Sequence, residues 1–271
     1  MTARHTLHDA FASARAEGRA ALVGYLPAGF PSVAGAQAAL EAMVEGGPAG
    51  GVDIVEVGLP YSDPLMDGPV IQEAVQAALD RGVRIRDVLD TAAALAPQVA
   101  TVVMTYWNPV ERYGIERFAE ALAAGGAAGV ITPDLVPDEA GPWLAAAAKY
   151  ELDPVFLVAP SSSEARLRLV SDVTQGFLYA ASAMGVTGAR TSIGSAASDL
   201  VARIRAVTTK PVAVGLGVSN GEQAAEVAAY ADGVIVGTAF VRALLGAPTE
   251  AEGIRAVREL AGELAAGVRH R

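Results

Sequence analysis

The stretch Val52-Asp53-Ile54-Val55-Glu56-Val57-Gly58-Leu59-Pro60-Tyr61-Ser62-Asp63-Pro64-Leu65-Met66-Asp67-Gly68-Pro69 begins as an apolar, β-branched run and ends as a turn-rich segment. Its first half is the pattern of a strand buried on both faces, as in a parallel sheet covered by helices. One carboxylate, Glu56, interrupts the run near its end, and Asp63 and Asp67 follow among Pro60, Pro64, Gly68 and Pro69. An unpaired acid inside a buried strand costs several kcal/mol or becomes neutral. Catalysis is the best reason for keeping one there.

Working outward from 52–58, runs of the same kind recur at 21–26, 101–106, 129–132, 154–159, 176–181, 211–215 and 233–236, which makes eight. Helix-period stretches lie between them, at 32–45, 114–124, 137–149, 162–171, 195–207, 221–229 and 249–265. Apolar strands alternating with helices imply parallel pairing, and eight such units predict an α/β protein of the closed (β/α)8 TIM-barrel type. An open doubly wound sheet is the alternative. No linker or break in composition divides the chain, which reads as a single barrel domain over residues 1–271. Residues 1–20 add an N-terminal helix. The interval between the second and third strands is too long for one crossover, so it carries an extended loop and helix insertion, with a helix at 70–80. Pro31-Ser32, Val136-Pro137-Asp138-Glu139 and Ser161-Ser162-Ser163-Glu164 read as helix starts.

Composition agrees. A chain of 271 residues is long for one ordinary domain but typical of a barrel, and 52% hydrophobic against 18% charged residues supplies a large core. The net charge of -10, with arginines scattered, argues against a nucleic-acid or anionic-membrane partner. With no cysteine there is no disulfide, thiolate nucleophile or Cys-ligated metal. No apolar signal region opens the sequence, and no run approaches the ~20 apolar residues of a membrane span. The expected location is cytoplasmic.

The chemistry narrows by elimination. His5, His8 and His270 sit near the ends of the chain, which disfavours a His-ligated metal or a catalytic imidazole; no metal site is expected. Lys149 ends a helix pattern and Lys210 precedes a strand, away from the usual active face, so a Schiff base is disfavoured. Carboxylate acid–base chemistry remains. Glu56 shares strand parity with Ile54 and Gly58; facing into the barrel, its pKa would rise by desolvation. The competing reading is a buried acid paired to an arginine or hydroxyl for structure. Asp67, before Gly68-Pro69, reads by itself as a helix cap or Asx-turn, and Asp63 in Ser62-Asp63-Pro64 as a turn residue.

Glycine loops follow the late strands: Gly185-Val186-Thr187-Gly188, Gly215-Leu216-Gly217-Val218-Ser219 and Gly237-Thr238, the last opening a short helix pattern. Together they point to a phosphorylated substrate held by backbone N–H groups. Residues 184–195 read equally as a lid or an ordinary solvated loop. Tyr25, Tyr106 and Tyr179 fall near strand C-termini, where they either line a flat apolar pocket or pack the core. Trp107 and Trp143 carry no site signal.

The segment Glu56-Val57-Gly58-Leu59-Pro60-Tyr61-Ser62-Asp63-Pro64-Leu65-Met66-Asp67-Gly68 closely resembles the signature of the tryptophan synthase alpha chain family. The likeness extends to Gly24-Tyr25-Leu26-Pro27-Ala28-Gly29, Pro133-Asp134-Leu135, the three glycine loops and Val236-Gly237-Thr238-Ala239. The resemblance implies retro-aldol cleavage of indole-3-glycerol phosphate to indole and glyceraldehyde 3-phosphate. It implies Glu56 as general acid/base and Asp67 as the group on the indole N–H, which displaces the cap reading of Asp67. It places Tyr25, Tyr106 and Tyr179 around the indole, Thr187 and Gly188 in the lid, and Gly188, Gly215, Leu216, Gly217, Gly237 and Thr238 around the rest of the substrate, phosphate included. It further implies a pyridoxal-phosphate beta chain in an αββα heterotetramer, no cofactor in this chain, and Pro60 and Asp63 at the interface. A stand-alone lyase and a catalytically idle subunit that activates a partner are the alternatives, with another phosphosugar barrel enzyme as the broader one.

Overall fold

The computed structural model describes residues 4–181, 195–215 and 217–269. Thr6 opens the first helix, its side chain accepting from the Asp9 N–H, as N-cap threonines do. In chain order the elements are α1 (Leu7–Ala16), β1 (Ala21–Pro27), α2 (Val33–Glu45), β2 (Ile54–Gly58), α3 (Pro69–Asp80), α4 (Ile85–Leu95), β3 (Ala100–Met104), α5 (Trp107–Tyr113) and α6 (Ile115–Ala124). There follow β4 (Gly129–Thr132), α7 (Gly141–Lys149), β5 (Asp153–Val158), α8 (Glu164–Val173), β6 (Leu178–Ala181), α9 (Ala196–Arg205), β7 (Val212–Gly215), α10 (Gly221–Ala228), β8 (Gly233–Val236), α11 (Thr238–Leu245) and α12 (Glu250–Gly267). The strands close into a barrel in sequence order, each parallel to the next, with β8 returning to β1. Every apolar run of the sequence is a strand.

Strand alternation separates two cores. Outward residues such as Leu22, Leu26, Val55 and Val57 pack under the surrounding helices. Inward residues Val23, Ile54, Val102, Val155 and Ile235 meet Leu7, Phe11 and Ala14 of α1. Phe11 lies 5.4 Å from Phe177, ring centre to ring centre. The N-terminal helix therefore plugs the N-terminal mouth of the barrel, and among the described residues the interior opens toward the strand C-termini. Asp53, the first acid of the quoted stretch, belongs to that closed end. It binds Arg19 through two short contacts of 2.6 and 2.8 Å and accepts the Leu22 N–H at 2.8 Å.

The long second crossover contains two helices. α4 covers β2 and β3 as a usual crossover does, while α3, the insertion, lies over β1 and α11. Two local readings are corrected. Val136-Pro137-Asp138-Glu139 forms a turn, with Glu139 N–H on the Val136 carbonyl at 3.0 Å, and the helix begins only at Gly141. Pro142 sets that start, because proline fits a first helical turn and disfavours helix in the residue before it. Asp138 instead pairs with Arg166 of α8 at 2.6 Å. The run 101–106 ends as a strand at Met104, and the short helix α5 follows, which the periodicity did not reveal. Among the described residues, no helix is long and apolar enough to cross a membrane.

Candidate active site

Register places Tyr25 of β1 beside Glu56 of β2, and Glu56 beside Val102 of β3, all pointing inward near the open end. Glu56 is 2% exposed, and its Oε2 has no hydrogen-bond partner among the described residues. Burial, and then the nearby charge of Asp67, pushes its pKa up to about 8. Among the described residues no arginine or hydroxyl satisfies that oxygen, which speaks against the structural-pair reading of Glu56.

Asp67 sits in the loop between β2 and α3 and is also buried. The residue capping α3 is Gly68, with no side-chain cap bond, so the Asp67 carboxylate is not spent on the helix. Only its backbone carbonyl is engaged there, by Gln72 Nε2 at 2.7 Å. Burial raises its pKa to about 6, with a hydrogen bond from Tyr106 pulling the other way. The two acids have been pushed apart, which gives one protonated and one ionised carboxyl group at neutral pH.

Both acids face one cavity of about 800 Å³, its open mouth included. Its apolar walls are Ile131, Leu157, Ile235, Met104 and Ile71, with the rings of Tyr25 and Tyr179; Gly215, Gly217, Gly237 and Thr238 form the rim. Eight of the residues read from sequence thus converge. The apolar walls are the residues that reading omitted, although Ile131, Leu157 and Ile235 had a signal in their inward parity near strand ends. Tyr106 takes a different place. It is buried, is not among the residues that line the cavity, and its hydroxyl accepts from the Met66 N–H at 3.0 Å beside Asp67. Thr187, Gly188 and Leu216 lie outside the described residues, as does the 184–195 segment apart from Ser195. Pro60 is buried beneath a shallow groove with Val83, Val88 and Pro109, whereas Asp63 is exposed. Among the described residues, no group of His, Asp and Glu converges as a metal-ligand set.

The glycines around the cavity make room for aromatic rings. A Cβ on Gly58 would stand 2.5 Å from the Tyr25 hydroxyl, and one on Gly215 would stand 2.7 Å from the Tyr179 hydroxyl. A Cβ on Gly237 would lie 3.0 Å from Tyr25 Cδ1. These positions lack side chains so that two tyrosine rings can lie across the cavity. Gly215→Ala is expected to displace Tyr179 and cost about 1–3 kcal/mol of packing or binding. The measurement is the Michaelis constant beside circular dichroism, and an unchanged constant in a folded variant would count against this role.

Fold and site define a (β/α)8 barrel whose apolar cavity holds a pair of desolvated carboxyl groups at the C-terminal ends of its strands. Comparison with known proteins makes this specific. The profile described as tryptophan synthase alpha chain matches residues 11–269. The tryptophan synthase alpha chain of Nocardia farcinica is 57% identical over 270 residues, covering 99% of this chain and 98% of its own. That of Streptomyces avermitilis is 58% identical over 265 residues, 97% of this chain and 94% of its own. A solved structure of Mycobacterium tuberculosis tryptophan synthase superposes with a TM-score of 0.90 at 54% identity, covering 98% of this chain and 99% of that one. The chain belongs to the tryptophan synthase alpha chain family. It is a carbon–carbon lyase of tryptophan biosynthesis.

Proposed function

We propose that the two buried acids divide the cleavage of indole-3-glycerol phosphate between a proton carrier, Glu56, and a charge-stabilising group, Asp67. The observation that carries this is Glu56 itself, a carboxyl group held among apolar walls with one oxygen unpartnered and a pKa near 8. At pH 7 it is protonated and can give its proton to indole C3. The ring becomes a cation, and ionised Asp67, hydrogen-bonded to the indole N–H, stabilises the charge. Glu56, now a carboxylate, takes the proton of the glycerol hydroxyl next to the ring. The carbonyl of the aldehyde forms, the carbon–carbon bond breaks, and its electron pair returns to the ring to give neutral indole. Glu56 ends protonated, as it began. The protonated ring is the electron sink, so this chain's own groups suffice for the step.

In the same reading Tyr25 and Tyr179 flank the indole against the apolar walls. Gly217, Gly237 and Thr238 receive the phosphate, where α11 begins without a side-chain cap and its first N–H groups face outward from the helix end. The family likeness assigns Gly215, Leu216, Thr187 and Gly188 to substrate binding as well. The partner is a tryptophan synthase beta chain in an αββα assembly in the cytoplasm, with pyridoxal phosphate held by that partner alone. The docking face is the 60–64 loop with the insertion behind it, where Asp63 is exposed and Leu65 is 73% exposed. Pro60 floors the groove that a partner side chain would enter.

The test is to supply purified chain with indole-3-glycerol phosphate and follow indole and glyceraldehyde 3-phosphate, with and without a beta chain from a close relative. Equimolar products, faster with the beta chain and accompanied by a four-chain complex in size-exclusion chromatography, are expected. Products without stimulation or complex would leave a stand-alone lyase, and no products in any condition would overturn the reaction.

A further inference from the structure

We infer that Asp134, in the loop after β4, is a positioning residue for the reaction: it seats Tyr106, and through Tyr106 it holds Asp67 in place against the cavity. This rests on the role given above to Asp67.

The chain of contacts runs through three elements. Helix α5 starts at Trp107 with Tyr106 as its cap residue, in extended conformation and with no side-chain bond of its own to the helix. The acceptor that a cap would supply comes from elsewhere. Asp134 Oδ1 and Oδ2 accept the Trp107 N–H at 2.9 and 3.1 Å. A carboxylate on the first N–H of a helix is favoured both as a hydrogen bond and by the helix dipole. On its other side Tyr106 is fixed by the Thr105 hydroxyl, which donates to the Tyr106 carbonyl at 2.9 Å. Its ring lies 5.3 Å from that of Tyr61, centre to centre. Held at these points, the Tyr106 hydroxyl accepts the Met66 N–H at 3.0 Å, which fixes the residue next to Asp67 and brings the hydroxyl close enough to lower the Asp67 pKa. The loop that carries Asp67 is therefore tied to the barrel by Tyr106, whose own position is set by Asp134. Misplacement of a reacting group by about 1 Å costs up to roughly 10²-fold in rate, so the seat matters to the chemistry.

Asp67 faces Glu56 from β2, Tyr25 from β1, Tyr179 from β6 and Tyr106 at the start of α5. Burial raises all three tyrosines, so the pair of acids titrates alone among these groups near neutrality. The hydrogen bond from Tyr106 lowers the Asp67 pKa, and loosening it raises that pKa.

The experiment compares Asp134→Ala, Asp134→Asn, Tyr106→Phe and Asp67→Asn in the full chain with indole-3-glycerol phosphate, reading kcat, KM and the pH profile relative to wild type. Asp134→Ala is expected to lower kcat about tenfold with KM little changed, and to move the acid limb to higher pH. Asp134→Asn keeps an oxygen for the Trp107 N–H and should restore most of the rate. Tyr106→Phe should reproduce the shift of the acid limb. A residue that merely stabilised α5 would lower the melting temperature and leave kcat and the acid limb alone; that result in Asp134→Ala overturns the proposal, as does an asparagine variant no better than alanine. Where Asp134→Ala does not fold, an unmoved acid limb in Tyr106→Phe, which keeps the buried ring, overturns it instead. Asp67→Asn separates the two claims: wild-type activity there sinks the role of Asp67 and the relay together, whereas an impaired Asp67→Asn beside a normal Asp134→Ala sinks the relay only.

Discussion

Glu56→Gln is expected to lower kcat for indole release by about 10²–10⁴-fold, the usual worth of a positioned general acid–base group, while leaving a chain that resists unfolding better than wild type at alkaline pH. Glutamine matches the shape of the carboxyl group but neither gives nor takes a proton, so the proposed step through indole C3 loses its carrier. The stability side follows from the direction of the shift. The folded-state pKa of Glu56 is raised from 4.5 to about 8. Below about 4.5 both folded and unfolded chains carry the proton, and the group contributes nothing. Between 4.5 and 8 the unfolded chain releases its proton and the folded one does not, so wild-type stability falls as pH rises. Above 8 the loss is complete, an upper bound on the order of 4–5 kcal/mol at about 1.4 kcal/mol per unit. Burying a poorly bonded amide costs roughly 1–3 kcal/mol in return. The variant should therefore trail or match wild type at pH 5 and overtake it by pH 8. Thermal unfolding at both pH values, beside the indole assay, checks this. A variant with near-wild-type turnover, or a stability difference that does not change with pH, would remove Glu56 from the role given to it.

That one residue was legible from its neighbours alone, because an acid in a run such as Ile54-Val55-Glu56-Val57 contradicts everything around it. The barrel was legible for a related reason. Strands covered by helices outside and packed inside must be apolar at every position, so the runs stand out even at four residues, as in Gly129–Thr132. What escaped is what long-range contacts decide. Helix α5 is short, contains Pro109, and takes its cap from Asp134, 27 residues on. Asp67 precedes Gly68-Pro69, the local pattern of a cap, and only its burial beside Tyr106 and Glu56, together with family likeness, tells it from one. Tyr106 and Met66 are 40 residues apart in the chain, so their bond leaves no trace in periodicity. Gly215 and Gly237 read as phosphate loops and Gly58 as part of a strand, yet each also yields space to a tyrosine on another strand.

Asp67→Asn should cost about 10²-fold or more in kcat/KM, the scale on which a single charge-stabilising group acts in a water-poor site. Its pH dependence is the more discriminating result. In wild type the pair titrates as a unit, with one proton lost near 6 and the second near 8. In the proposed mechanism the active form has Asp67 ionised and Glu56 protonated, which predicts a bell with limbs near those values. Removing the Asp67 carboxylate has two consequences of known sign. The acid limb disappears, because asparagine has no proton to gain. The alkaline limb moves to lower pH, because the charge of Asp67 is the second cause, after burial, of the raised pKa of Glu56. The phosphate of the substrate titrates in the same range, but it is common to both enzymes and cancels in the ratio of variant to wild-type kcat/KM. That ratio should fall steadily from pH 5 to pH 9: at the acid end wild type loses activity that the variant keeps, and at the alkaline end the variant loses its proton first. Measuring residual indole release across this range with both proteins gives the ratio directly. A flat ratio would mean that the Asp67 carboxylate neither serves as the ionised partner nor acts on Glu56, and the proton would then have to be carried by groups other than this pair.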